Sequence, residues 1–351
     1  VLRRGRVRAI DAARALAIIG MLAVNVGPKE SPGLWGRLYL VPHGRASLLF
    51  VLLAGIGVSL LSRRARDRSG TGAGRHRLTL LWRAALLLLA GLALQLLDHD
   101  VNVILATYAL LFVVAGLLLR APDRLLLTGA AAVAVVGPLV LLGSQLASGT
   151  GYDHEPAALG DPPGDVLHSL VISGAYPLVT WLAPFLFGMW LGRQDLTDRR
   201  HQVLMVTVGG LVAALAPVLS RVATALVGDP GPGIGPRLLV TGAAHGQMPL
   251  WLVGGTASAV AVLGVCLLLS HLMDSWLWPL VATGQLALTV YVAHLLALHV
   301  LRPAPHSLAQ GVLITVGMTV AAVALATWWR SRFARGPLEV LLRPPWTVTG
   351  S

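Results

Sequence analysis

Val1-Leu-Arg3-Arg4-Gly-Arg6-Val-Arg8-Ala-Ile10-Asp11-Ala-Ala-Arg14-Ala-Leu-Ala-Ile-Ile-Gly20-Met-Leu-Ala-Val-Asn25 opens the chain, and a second apolar run, Ala46 to Leu60, follows a short loop carrying His43. A basic tail leads into a stretch apolar enough to enter a membrane, yet that stretch keeps Asp11, Arg14 and Asn25. Charged groups at a membrane-helix entrance are costly, so they mark either interfacial anchors or parts of a site. At about 100° per residue the three polar side chains fall within an arc of roughly 60°. Asn25 lies about 21 Å beyond Asp11 along the axis. One face of the first helix is therefore polar at both ends. An interfacial Asp–Arg pair, with an Asn bonded to a neighbouring helix, satisfies the same pattern as a site does.

The rest of the chain repeats the apolar theme. With 56% hydrophobic and 12% charged residues it lies far from a soluble domain, in which about 25% of residues are charged. The mean hydropathy is +0.75. Ten apolar runs, near residues 9–26, 46–62, 78–97, 101–119, 124–146, 175–192, 203–227, 250–270, 279–301 and 309–329, predict an all-α, polytopic transmembrane helix bundle. The period-2 alternation of a membrane barrel is absent. Residues 1–351 read as a single integral membrane domain. No small-residue cleavage site follows the first run, so it reads as a retained helix and not a signal peptide. One cysteine, Cys266, lies inside an apolar run, which excludes an intramolecular disulfide and a thiolate metal cage.

A net charge of +12 suggests nucleic acid until its distribution is followed. With the N-terminus in the cytoplasm, the inner loops collect the arginines: the tail, the cluster Arg63, Arg64, Arg66, Arg68, Arg75 and Arg77, and later Arg193, Arg199, Arg200, Arg330 and Arg332. The outer loops collect the acids, among them Glu30, Asp98, Asp100, Asp153, Glu155, Asp161, Asp165 and Asp229. This is the positive-inside pattern, and the even number of spans returns the C-terminus to the cytoplasm. The implied partner is anionic membrane lipid, with no nucleic acid, and the implied location is the plasma membrane, crossed many times.

Two outer connections are long, Ala147–Asp165 and Gly228–Pro249; the Pro/Gly half of the second reads as disordered and its His245 end as ordered. His43, His99, His154, His168, His245 and His306 fall at outer loops or helix ends, where a neutral imidazole can serve as a base. Asp98-His99-Asp100 has the composition of metal ligands, but as a tight hairpin it reads as a solvated turn, and no metal is expected. In the ninth run Gln285, Thr289 and His299 share one arc of about 80° while Tyr291 and His294 lie elsewhere, so neither side suits lipid and the helix reads as central. Buried hydrogen bonding explains these residues as readily as chemistry does. Arg83 most simply snorkels.

Ile10-Asp11-Ala-Ala-Arg14, Asn25, Gly44-Arg45-Ala-Ser47 with Gly55-Ile-Gly57, Val103-Ile104-Leu-Ala-Thr-Tyr108, Ala243-Ala-His245-Gly-Gln-Met-Pro249, Gly284-Gln285-Leu-Ala-Leu-Thr289-Val-Tyr291-Val-Ala-His294 and Gly336-Pro337-Leu-Glu339 together resemble the heparan-α-glucosaminide N-acetyltransferase-like membrane proteins, whose bacterial branch includes the YeiB-like proteins. The resemblance implies a transmembrane acyltransferase. Its donor substrate would be cytosolic acetyl-CoA or another acyl-CoA, with no permanently bound cofactor, and its acceptor an extracytoplasmic sugar, glycolipid or similar small molecule. His245 or His43 would take the acceptor's proton, and Asn25 would donate to the developing oxyanion. Arg14, Asp11 and Arg83 would bind the donor, helped by the Arg63–Arg77 cluster. Arg45, Tyr108, Gln285, Thr289, Tyr291 and His294 would form the substrate-binding or structural polar core. A homodimer is compatible with the sequence. A small-molecule carrier with intramembrane ionisable residues, and a non-catalytic subunit of an envelope complex, are the competing readings.

Overall fold

The structure is a computed structural model that describes residues 2–28, 32–66, 72–149, 156–231, 233–273, 275–303 and 307–347, with backbone alone at 2–7, 63–66, 72 and 73. Lys29, Glu30, Arg68, Asp153, His154, Glu155 and His306, and the side chains of Arg3, Arg4, Arg6, Arg63, Arg64 and Arg66, lie outside what is described.

The described residues form helices: α1 (Leu2–Val26), α2 (Gly33–Tyr39), α3 (Arg45–Arg66), α4 (Gly72–Leu94), α5 (Leu105–Leu118), α6 (Asp123–Ser148), α7 (Pro163–His168), α8 (Leu178–Leu191), α9 (Arg199–Val227), α10 (Pro249–Leu268), α11 (Trp278–Gln285), α12 (Ala287–Leu301), α13 (Leu308–Arg332) and α14 (Pro337–Leu341). Seven are long and apolar enough to cross a membrane, and two bent pairs raise the number to nine. That differs from the ten expected from sequence, because the run at 101–119 yields only the 14-residue α5. The bent pairs are also new. The segment 163–173, α7 plus a π-helical turn, meets α8 at 60°, and α11 meets α12 at 80°. An α-helical wheel cannot be carried across Leu286, so the arc assigned to Gln285, Thr289 and His299 is not one face.

Helix α1 is the axis of the bundle, packed by α3, α10, α11, α12 and α13. The sequence allows this through small residues: Ala9, Ala12, Ala13, Ala15 and Ala17 are all at most 1% exposed, so backbones approach closely. Gly284 of α11 rests on the Asp11 carbonyl, where a Cβ would collide. Helices α3 and α8 cross by the same device, Gly55 against the Phe185 carbonyl and Gly188 against that of Leu52. The polar face of α1 is thereby turned inward. Two apolar clusters fill the bundle, one around Trp181, Phe185, Tyr108 and Tyr291, the other around Ile10, Leu52, Leu53 and Leu263.

Helix ends alternate between two faces of the bundle. One carries Arg77, Arg120, Arg124, Arg199 and Arg330, the other Asp98, Asp100, Asp161 and Asp229. On this acidic face the loop after α1 contains α2, too short to show a helical period in sequence. Leu34, Trp35 and Leu38 are 68%, 75% and 52% exposed, as suits a helix lying in a membrane interface. Tyr39 anchors it, donating to the Ala23 carbonyl at 2.8 Å and meeting the Thr315 hydroxyl at 2.9 Å. The Pro/Gly half of the 228–249 connection, expected to be disordered, is described except at Pro232. It contains a 3₁₀ turn, Pro236–Val240, held by Ser220 Oγ donating to the Val240 carbonyl.

Candidate active site

A cavity of about 800 Å³ opens on the acidic face, and Asn25, His43 and His245 all line it. Two neighbouring segments near the start of the chain and a third about 200 residues further on thus border one cavity. Asn25 stands in the last turn of α1. His43 is fixed by the turn joining α2 to α3, in which the His43 N–H donates to the Leu40 carbonyl and the Arg45 N–H to Pro42. Arg45 spans the same turn, donating to the Val41 carbonyl at 2.9 Å, so its described role is to brace the histidine. Gly44 has φ +73° and lies against the Trp251 indole, so a side chain there is excluded both by conformation and by space.

His245 arrives on a strained turn. His245 and Gln247 both have positive φ, 59° and 58°, a conformation that costs non-glycine residues about 1–3 kcal/mol and persists only when its surroundings enforce it. Gln247 supplies the enforcement. It accepts from Thr180 Oγ1 at 2.7 Å and donates to the Ala175 carbonyl at 3.0 Å, tying the loop to the start of α8. The His245 ring then rests between Trp251 and Tyr176, with centroids 6.0 and 6.3 Å away.

The two histidines differ in their surroundings. Both ring nitrogens of His43 are buried without a hydrogen-bond partner, and burial lowers its pKa below the ordinary histidine value, favouring the neutral base. Asn25 is oriented from behind: its Nδ2 donates to Nε2 of buried His294 at 3.1 Å. His294 packs edge-on to Tyr291, whose hydroxyl accepts the Ile104 N–H at 3.3 Å. Tyr108 stacks with Phe50 and Phe112 and buries a hydroxyl that has no partner. These three members of the expected polar core lie beneath the cavity.

The rim is built from residues that read in sequence mainly as a solvated hairpin and its neighbours. Asp98, His99, Asp100, Asn102, Tyr176 and Arg302 also line the cavity. Far from merely solvating a turn, Asp98 pairs with Arg302 at 2.6 Å, and its N–H donates to His299 Nδ1 at 3.1 Å. The α4–α5 hairpin is thus latched to the end of α12. His99 is spent within its own loop, bonded to the Leu94 carbonyl and the Val101 N–H. No metal-holding group of three or more His, Cys, Asp or Glu occurs among the described residues.

At the other end of α1 a second polar assembly faces the basic side. Arg14 donates to Asp11 at 2.5 Å, Gln285 donates to the second Asp11 oxygen at 3.2 Å, and Arg330 donates to Gln285 at 2.8 Å. Arg14 nevertheless keeps 30% of its side chain exposed while its neighbours Ala13 and Ala15 are sealed, so its guanidinium stays reachable from outside the bundle. Arg83 lies within electrostatic range of both Arg14 and Arg343, and its Nε donates to the Leu342 carbonyl at 3.2 Å. Four guanidinium groups, of Arg14, Arg83, Arg330 and Arg343, therefore share a region with the paired Asp11 carboxylate. Thr289 belongs elsewhere: with its N–H and hydroxyl it binds Glu339 of α14, at 3.0 and 2.6 Å, and so secures the C-terminal segment.

Residues 6–223 match the family described as heparan-alpha-glucosaminide N-acetyltransferase, catalytic. Residues 238–347 match a second family, described as a protein of unknown function (DUF418). No curated protein matches the chain.

Proposed function

The chain belongs to the heparan-alpha-glucosaminide N-acetyltransferase catalytic family, and from that premise we propose that it carries an acetyl group from cytosolic acetyl-CoA to an acceptor at the acidic, extracytoplasmic face. The observation that carries this reading is the convergence of Asn25, His43 and His245 on one cavity above a polar α1.

Each part supports a step. The guanidinium groups of Arg14 and Arg83 attract the phosphates of the donor, with which they make strong charge-assisted bonds. About 16 Å separates Arg14 from Asn25 along α1, at about 1.5 Å per residue. The thioester therefore has to span this depth of the bundle to reach the cavity. There the acceptor's amine or hydroxyl attacks the thioester carbon while neutral His43 takes its proton. The carbonyl oxygen becomes an oxyanion facing the Asn25 amide. Collapse breaks the C–S bond, forms the amide or ester, and returns the proton from His43 to the departing CoA thiolate. His245, held against two aromatic rings, forms the acceptor-binding wall.

Incubating purified protein with radiolabelled acetyl-CoA and candidate amino sugars or glycolipids tests the proposal. Label must move to the acceptor, and His43→Ala must lower the rate at least a hundredfold. Neither donor binding nor hydrolysis, combined with substrate counterflow in proteoliposomes, would replace the enzyme with a carrier.

A further inference from the structure

Away from the catalytic cavity, α6, α8, α9 and α10 enclose a second hollow of about 680 Å³. Its walls are almost wholly apolar, with Gln194 and His201 at one end only, the basic face. Small residues create it. Ala130, Ala131 and Ala134 on α6 and Gly209 on α9 leave space that Leu or Phe would fill. On α9 the lining residues His201, Leu204, Met205, Val208, Gly209 and Val212 follow a helical stripe, as do Leu127, Ala130, Ala131 and Ala134 on α6.

Each stripe is flanked by an arginine at its basic end. Arg200 is four residues before Leu204 and Arg124 three before Leu127, so each stands one turn nearer the basic face, beside its stripe and not on its midline. Both are exposed, and neither forms an ion pair among the described residues. The nearby carboxylates are engaged otherwise: Asp123 with Arg193 at 2.8 Å, Asp195 with Thr197, and Asp198 in capping α9. From Arg200 to Val212 the groove runs about 18 Å. One leaflet of a bilayer's hydrocarbon core is about 15 Å thick.

We propose that this groove binds one anionic phospholipid of the leaflet at the basic face, an acyl chain between α6 and α9 and the headgroup phosphate between Arg124 and Arg200. Depth matches a single chain, and two cations without an ion pair at the open end match a phosphate whose single negative charge no choline ammonium offsets. An apolar hollow alone would accept any lipid chain. The paired arginines select charge.

Native mass spectrometry of detergent-purified full-length protein, dosed with equal amounts of phosphatidylglycerol and phosphatidylcholine, tests this. Wild type should retain one phosphatidylglycerol in about tenfold preference, two arginines each adding attraction near the surface. Arg124→Gln with Arg200→Gln, both at exposed positions, should reduce the preference to near parity while some lipid remains bound. Ala131→Trp should fill the groove and abolish retention of either lipid. Equal retention of the two lipids by wild type overturns the proposal. So does a preference that survives the double substitution, or retention that survives Ala131→Trp.

Discussion

The side-chain amide of Asn25 donates to Nε2 of His294 across 3.1 Å, joining the end of α1 to the middle of α12. One N–H of the amide is thereby committed, which restrains the plane of the group and leaves its other N–H for the cavity that Asn25 lines. Pre-aimed donors stabilise developing charge without reorganising at the moment of reaction. Asn25→Ala is expected to lower kcat by about a hundredfold or more, the usual cost of losing one oxyanion donor. His294→Ala should cost less, because the amide survives but loses its orientation. The double variant should fall short of the product of the two effects, and steady-state kinetics of all three measure that coupling.

His43 predicts a pH dependence. Burial lowers the pKa of its ring below the ordinary 6.5. A base with a lowered pKa stays neutral further into acid, so the acid limb of kcat/KM, which reports the free enzyme, should have its midpoint below 6.5. Stability follows the same sign. As pH falls below 6.5 the unfolded chain binds the proton first, and folding loses free energy until the folded ring is protonated too. Well above 6.5 neither state binds the proton and the group contributes no slope. The residual activity of His43→Gln should lack the acid limb, and an unchanged limb would assign it to another group.

Glycine contacts at the axis predict a graded loss of stability. Gly284→Ala drives a methyl into the Asp11 carbonyl, and Gly188→Ala into that of Leu52. Overpacking of this kind costs about 1–3 kcal/mol. Gly210 on α9 has open space around it, so Gly210→Ala should be neutral or slightly stabilising. Cys266, the chain's single cysteine and buried at 4% exposure, provides the readout. Its reaction with a thiol-reactive dye during heating reports unfolding, and the midpoint should drop for the first two variants and not for the third.

Much of this arrangement was legible in the sequence, for a physical reason. In an apolar run a lone Asp, Arg or Asn has no place in lipid, so Asp11, Arg14 and Asn25 announce an interior face by themselves. His43 and His245 were legible as imidazoles at helix ends of one face. Pairing was not legible. The partner of Asn25 lies 269 residues away, and nothing local distinguishes His294 from His299. A single helical wheel does not run through residues 284–299, because the helix breaks at Leu286 with neither Pro nor Gly at that position to mark it. The cavity rim is a different case. Asp98-His99-Asp100 has the composition of a solvated hairpin, and only the ion pair to Arg302 shows it to be a latch.

The assembly around Arg14 predicts how the donor is held. Arg83 gives one hydrogen bond, to the Leu342 carbonyl, and faces Arg14 and Arg343, so its positive charge is not neutralised locally. An anionic donor relieves that repulsion, and the relief is present equally in the bound substrate and in the transition state. Uniform binding of this kind appears in KM and not in kcat. Arg83→Gln should therefore raise the KM for acetyl-CoA about tenfold with kcat within twofold, taking about 1.4 kcal/mol for a lost phosphate contact. Dephospho-acetyl-CoA separates the contacts within the donor. If Arg83 meets the ribose phosphate, wild type should bind this analogue as weakly as Arg83→Gln binds acetyl-CoA, and the variant should no longer discriminate between the two. Asp11→Asn tests the other half of the assembly. It keeps the acceptor for Gln285 but removes the countercharge of Arg14, so donor binding should tighten and its salt dependence steepen. Weaker binding in Asp11→Asn would mean that the carboxylate holds Arg14 in its working position, and that the geometry of the pair matters more than its charge.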